Sequence, residues 1–135
     1  MKIWLYYIGK ARDTHANAMA AEYIKRSMRY ANCEMREIHP RRFDPWTKHS
    51  GAAKILLDPA GRALDSAGFL ELVKKSHDVV FILGGSDGLP DAWRDRADFL
   101  LAVSPMTMPH ELARVVLAEQ IYRSLTTLHG HPYPR

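Results

Sequence analysis

Val79-Val80-Phe81-Ile82-Leu83 is an unbroken apolar run of aliphatic and aromatic residues, and it leads directly into Gly84-Gly85-Ser86-Asp87-Gly88. A strand with one wet face alternates apolar and polar side chains, whereas a run with no polar member needs cover on both faces. Strands covered in this way belong to parallel sheets with helices on either side, so this segment alone points to an α/β layered fold. Its neighbours agree. Lys2–Ile8 is strand-like and closes at Gly9, and Asp13 or Thr14 caps a helix to about Tyr30, with Ala16, Met19, Ala20, Tyr23, Ile24 and Met28 at helical spacing. Cys33–Ile38 alternates as a strand up to Pro40, and the proline-punctuated stretch from Arg41 to Trp46 reads as a loop. Lys54–Leu57 is a short strand ended by Asp58-Pro59-Ala60-Gly61, followed by a helix from Asp65 or Ser66 to about Lys75. Asp91–Ala97 predicts a short helix and Phe99–Val103 a strand. Pro109 opens a last helix to about Leu128, because proline suits a first turn.

The order β-α-β-β-α-β-α-β-α implies a mostly parallel sheet flanked by helices. In such folds ligands bind beyond the carboxyl ends of the strands. That rule puts Leu57-Asp58, Gly84–Gly88 and Val103–Met108 on one rim. The 135 residues fit one domain, 1–135, around one core. Cys33 is the single cysteine, which excludes an internal disulfide and a multi-cysteine zinc site; no metal is expected. No apolar run approaches the roughly 20 residues of a membrane span, and no cleavage-type signal follows the first strand. A reducing cytoplasm is the expected compartment, with no membrane partner. Residues 1–42 hold nine Lys and Arg against four Asp and Glu, while residues 43–135 hold ten against eleven. The basic excess of the first part suits backbone phosphates, or a solvated helix face.

Three segments carry chemistry. Gly84-Gly85-Ser86-Asp87-Gly88 follows a buried strand and permits positive φ and close ligand approach, yet it is neither a P-loop nor a complete dinucleotide fingerprint. A plain tight turn reads equally well. A side chain at Gly85 is expected to fill space that a ligand needs. In Ser104-Pro105-Met106-Thr107-Met108-Pro109, two prolines hold backbone N–H and C=O groups free to read a base edge, with Met side chains to pack on a ring. A rigid connector with core-filling Met residues is the alternative. The last helix is apolar on more than one side, which suggests cover by the sheet and by a second subunit. Glu119 and Arg123 stand at i, i+4, and the tail gathers His129, His131, Tyr133 and Arg135. No G-x-S-x-G elbow is present for nucleophilic hydrolysis.

Leu57-Asp58-Pro59-Ala60-Gly61-Arg62 with Ser66, the stretch from Phe81 to Leu89, and above all Ser104-Pro105-Met106-Thr107-Met108-Pro109-His110-Glu111-Leu112-Ala113-Arg114 are family-specific signatures. Continued through Ala118-Glu119-Gln120-Ile121-Tyr122-Arg123 to His131-Pro132-Tyr133, they resemble the RlmH family, the large-subunit rRNA pseudouridine N3-methyltransferases of the SPOUT superfamily. The resemblance covers nearly the whole chain. It implies a SPOUT-type α/β knot, with a trefoil knot in the C-terminal half that periodicity alone does not reveal. It further implies a homodimer and S-adenosylmethionine held by Leu57, Gly84 or Gly85, and Val103, Ser104, Pro105, Met106, Thr107 and Met108. The implied substrate is N3 of a pseudouridine in 23S rRNA of the large ribosomal subunit. Loss of the N3 proton would be assisted by His110, Arg114, Arg123, His131, Tyr133 or Arg135, and Arg12, Lys25, Arg26 and Arg29 would grip phosphates. The chain departs from the family pattern in a shorter segment between Arg41 and Ala53, and at Pro134, where a second imidazole is usual. These departures motivate two alternatives, a SPOUT methyltransferase acting on another RNA and a non-catalytic RNA-binding homologue.

Overall fold

A computed structural model describes residues 1–134. Five strands, β1 (Lys2–Ile8), β2 (Asn32–Ile38), β3 (Ala53–Ala63), β4 (Val79–Leu83) and β5 (Phe99–Ala102), form one sheet in the order β2-β1-β4-β3-β5. Every pairing is parallel. All five residues of β4 are buried, as its composition requires. Ile3, Leu5, Ile55, Phe81 and Leu101 face α1 (Thr14–Ser27), α3 (Ser66–Ser76) and α5 (His110–Leu128) on one side of the sheet. On the other side Tyr6, Leu56, Val80 and Ile82 pack under α2 (Pro45–Lys48) and α4 (Asp91–Arg96), with Trp93 and Trp46 closing that layer edge to face.

Local chemistry sets the boundaries. The Asp13 carboxylate accepts the Ala16 N–H at 3.0 Å and the Asp65 carboxylate that of Gly68 at 2.8 Å, so aspartate is the cap of both helices. Helix α1 stops at Ser27, three residues short of the sequence expectation, where the chain turns into β2. The expected loop at Arg41–Trp46 contains the start of α2: the Asp44 carboxylate accepts the Trp46 N–H at 3.0 Å and Pro45 takes the first turn.

Strand β3 also differs from expectation, because it does not end at Asp58. Leu57 and Arg62 both pair with Leu101, so residues 58–61 bulge outward from a strand that resumes beyond them. Gly61 permits this. A Cβ there would lie 2.7 Å from the Leu100 carbonyl carbon and oxygen.

Strand β5 lies at one sheet edge, whereas α5 begins beside β1, three strands further in with β3 and β4 between: the Arg114 guanidinium sits 3.6 Å over the Tyr7 ring. Residues 103–109 must therefore pass across the carboxyl ends of β3 and β4. Helix α5 then runs between α1 and α3, which cover Leu117, Ala118, Ile121 and Leu125 within this one chain. Much of the helix's wide apolar girth is thus satisfied internally. Leu112 and Met19 remain exposed on the outer face. Among the described residues no helix is long and apolar enough to cross a membrane.

Candidate functional site

Where residues 103–109 cross the strand ends, they roof a cleft of about 480 Å³ whose floor is the turn after β4 and whose side wall is the bulge of β3. The turn is tight, with the Gly88 N–H on the Gly85 carbonyl at 3.0 Å. Glycine is required at two positions there by the protein itself. A Cβ at Gly84 would lie 2.6 Å from the Gly88 carbonyl carbon, and one at Gly85 would lie 2.7 Å from the Ile8 carbonyl oxygen. The expectation that a side chain at Gly85 would fill ligand space is corrected: it would strike the end of β1. Gly88 has φ +76° and an open Cβ direction.

Of the residues expected to hold a cofactor, Leu57, Gly84, Gly85, Val103 and Ser104 line the cleft, as do Met106, Thr107 and Met108. Pro105 is exposed and does not line it. The Ser104 hydroxyl accepts the Met106 N–H at 2.9 Å, and that local turn carries the intervening proline past the opening.

Sequence reasoning put Asp58 on the rim without giving it a role, and it missed Arg94 altogether. Arg94 Nε lies 2.5 Å from Asp58 Oδ2 but out of line for a hydrogen bond, so this buried N–H has no hydrogen-bond partner. The other Asp58 oxygen accepts the Ala60 N–H at 2.8 Å and fixes the bulge. Helix α4 is too short and polar to mark Arg94 by pattern. The signal available was its place in the first short helix after the glycine turn.

The residues expected to assist proton loss divide into three groups. His110 lines the cleft. Arg114 is buried, bonded through Nη1 to the Asn17 side-chain oxygen, and does not line the cleft. It belongs to a clasp with Glu111, whose carboxylate accepts the Arg12 N–H at 2.7 Å, the Asp13 N–H at 3.1 Å and the Asn17 amide at 2.9 Å. These hydrogen bonds, the Arg12 N–H foremost, hold the Glu111 carboxyl at about 2. The clasp ties the β1–α1 loop to the start of α5, just beyond the cleft roof.

Arg123, His131 and Tyr133 form the third group, at the far end of α5. The Glu119 carboxylate receives Arg123 Nη2 and the Tyr133 hydroxyl, each at 2.7 Å, and the Tyr122 ring lies 4.7 Å from that of Tyr133. Burial and the Glu119 hydrogen bond push the Tyr133 phenol well up. The His131 ring accepts the Tyr133 N–H at 3.2 Å. Thirteen residues of helix separate His110 from Arg123, or about 20 Å at 1.5 Å per residue. Arg135 lies outside the described residues. Arg12 is exposed near the cleft end of α1, and Lys25, Arg26 and Arg29 are exposed near its other end, where Arg26 pairs with Glu22 at 2.8 Å.

The family described as "Predicted SPOUT methyltransferase" matches residues 1–134. A curated protein of Solibacter usitatus named "Ribosomal RNA large subunit methyltransferase H" is 58% identical over 139 residues, spanning all of both chains. The chain belongs to the ribosomal RNA large subunit methyltransferase H family. A Thermus thermophilus member of the family is 38% identical, over all of this chain and 99% of its own. The end-to-end Solibacter alignment, 139 residues against 135, leaves no room for a much longer segment near residues 41–53 in that relative. The crystal structure of the SpoU methyltransferase AviRb from Streptomyces viridochromogenes with AdoMet superposes with a TM-score of 0.55 at 11% identity. It covers 94% of this chain and 61% of that one, a likeness that shows the SPOUT α/β fold.

Proposed function

We propose that this protein is an S-adenosylmethionine-dependent methyltransferase that methylates N3 of a pseudouridine in 23S rRNA of the large subunit. We take it to act in the cytoplasm as a homodimer of single domains, 1–135, each with a trefoil-knotted C-terminal half. The observation that carries the reading is the cleft itself, a cavity of small-molecule size at the strand-end rim, walled by a segment with the family's sequence. Its residues fit the proposed cofactor. Leu57, Leu101 and Met108 give apolar walls for a ring, Gly88 leaves space beside the turn, and Arg94, paired through Nε with Asp58, brings a guanidinium to the wall. Asp58, Asp87 and Asp91 offer carboxylates to a cationic ligand.

When bound, the donor supplies an electrophilic methyl group on a sulfonium. The protein's task is to aim the pseudouridine N3 along the sulfur–carbon axis, exclude water and take away the N3 proton. His110 stands at the cleft within the same protomer. Tyr133 acts as a hydrogen-bond donor rather than a base, because its phenol is held protonated by burial and by Glu119. The Arg123–His131–Tyr133 group, about 20 Å away along α5, joins the chemistry only if a second copy brings its tail to this cleft. That separation is the structural argument for the dimer.

Incubation with a radiolabelled methyl donor and intact ribosomes, free 23S rRNA or tRNA tests the reading. Label on the large-subunit RNA at pseudouridine N3 is expected. Label on tRNA alone refutes the substrate, and donor binding without transfer to any RNA would identify a binding protein.

A further inference from the structure

We propose that Arg94 anchors the carboxylate of the methyl donor's amino-acid tail; the inference rests on the donor reading above. Arg94 is the one lysine or arginine among the residues lining the cleft, where it faces Asp58, Asp87 and Asp91. Its guanidinium has five N–H donors in a planar fork, and none makes a hydrogen bond within the described residues. Nε forms an ion pair with Asp58 without an aligned hydrogen bond, and Nη1 stands 3.8 Å from Asp91 Oδ1, beyond hydrogen-bond reach.

The arginine is nonetheless held in place. Asp58, itself buried and bonded to the Ala60 N–H, lies 2.5 Å from Nε and fixes that edge of the fork. Trp93, the preceding residue, is buried edge to face against Trp46, and Trp46 Nε1 donates to the Arg96 carbonyl at 3.3 Å. Helix α4 is therefore clamped on both sides of Arg94. Arg96, the other arginine of that helix, stacks on Trp46 at 4.5 Å and approaches Asp44, so it is committed elsewhere.

With Nε against Asp58, the Nη end of the fork remains for an anion entering the cleft. A planar fork accepts a carboxylate through two parallel bonds, which a lysine ammonium cannot copy. The donor offers one carboxylate alongside its two cationic groups. Arg94 would take the carboxylate while the three aspartates favour the ammonium and sulfonium.

Calorimetry of wild type, Arg94→Gln and Arg94→Lys with two ligands tests this. One is S-adenosylhomocysteine. The other is methylthioadenosine, which keeps the nucleoside and thioether but lacks the amino-acid tail. Arg94→Gln should lose about 10- to 100-fold affinity for S-adenosylhomocysteine, the range for a charged hydrogen bond, while its affinity for methylthioadenosine stays within about twofold. Arg94→Lys should recover only part of the loss. Equal loss for both ligands, or no loss for S-adenosylhomocysteine, overturns the assignment of Arg94. A wild-type protein that binds neither ligand overturns the donor reading and the anchor with it.

Discussion

Replacing Gly85 by alanine isolates the role of the turn under the cleft. The added Cβ would lie 2.7 Å from the Ile8 carbonyl oxygen, against 3.4 Å for ordinary contact, so the turn or the end of β1 must retreat by about 0.7 Å. Neither side is a flexible side-chain tip. Ile8 is the last residue of a strand, and Gly85 is bridged to Gly88. Overpacking of backbone against backbone costs about 1–3 kcal/mol, and the upper half of that range applies because no side chain can yield. For a chain of this size each kcal/mol lowers the melting temperature by about 4 °C, so Gly85→Ala should melt about 8–12 °C lower. Two controls share the chemistry but lack the clash. At Gly51 a Cβ meets nothing within 4 Å, and Gly51→Ala should change stability by less than about 0.5 kcal/mol. Gly88 has the same open surroundings but φ +76°, so Gly88→Ala should cost about 1 kcal/mol of left-handed strain. Thermal unfolding followed by circular dichroism ranks the three, and calorimetry should show weakened S-adenosylhomocysteine binding by Gly85→Ala. If Gly85→Ala melts within about 1 °C of Gly51→Ala, the close approach of the turn to β1 is refuted.

Glu111→Gln should remove an acid-dependent contribution to stability. The carboxyl is held at about 2 in the fold against an ordinary 4.5, so its contribution is present above pH 4.5 and lost as pH falls toward 2. Urea titrations should show wild type exceeding Glu111→Gln at pH 6, with the gap closing on acidification; a constant gap contradicts the clasp. The Cys33 thiol is pushed up by burial to about 11, so it should resist a disulfide reagent at pH 8 until the protein unfolds, and rapid labelling of the native state would disprove its burial. Arg29→Ala should weaken rRNA binding and lower the slope of log affinity against log salt by about 0.7 to 0.9. An unchanged slope removes Arg29 from the phosphate contacts.

The layered fold was legible because β4 has no polar residue and because aspartates mark the starts of α1 and α3. The rim was legible from strand order. The bulge in β3 was not, since Asp-Pro-Ala-Gly reads as a terminator and only the pairing of both Leu57 and Arg62 with Leu101 reveals the resumed strand. Helix α2 escaped because Pro45, which breaks a helix from within, here occupies its first turn. Arg114, expected among the groups that assist proton loss, is instead buried over Tyr7, an outcome fixed by where the 103–109 crossover lands. The division of His110 from Arg123 and Tyr133 follows from the length of α5. Spacing gives that length, but a signature shared along the whole helix suggests one site.

A crystal structure of the protein with S-adenosylhomocysteine tests the central claim most directly. The ligand should lie between the Leu57–Pro59 wall, the Gly84–Gly88 floor and the Val103–Met108 roof, with its carboxylate at Arg94. Density for the ligand anywhere else, with this cleft empty, would contradict the account.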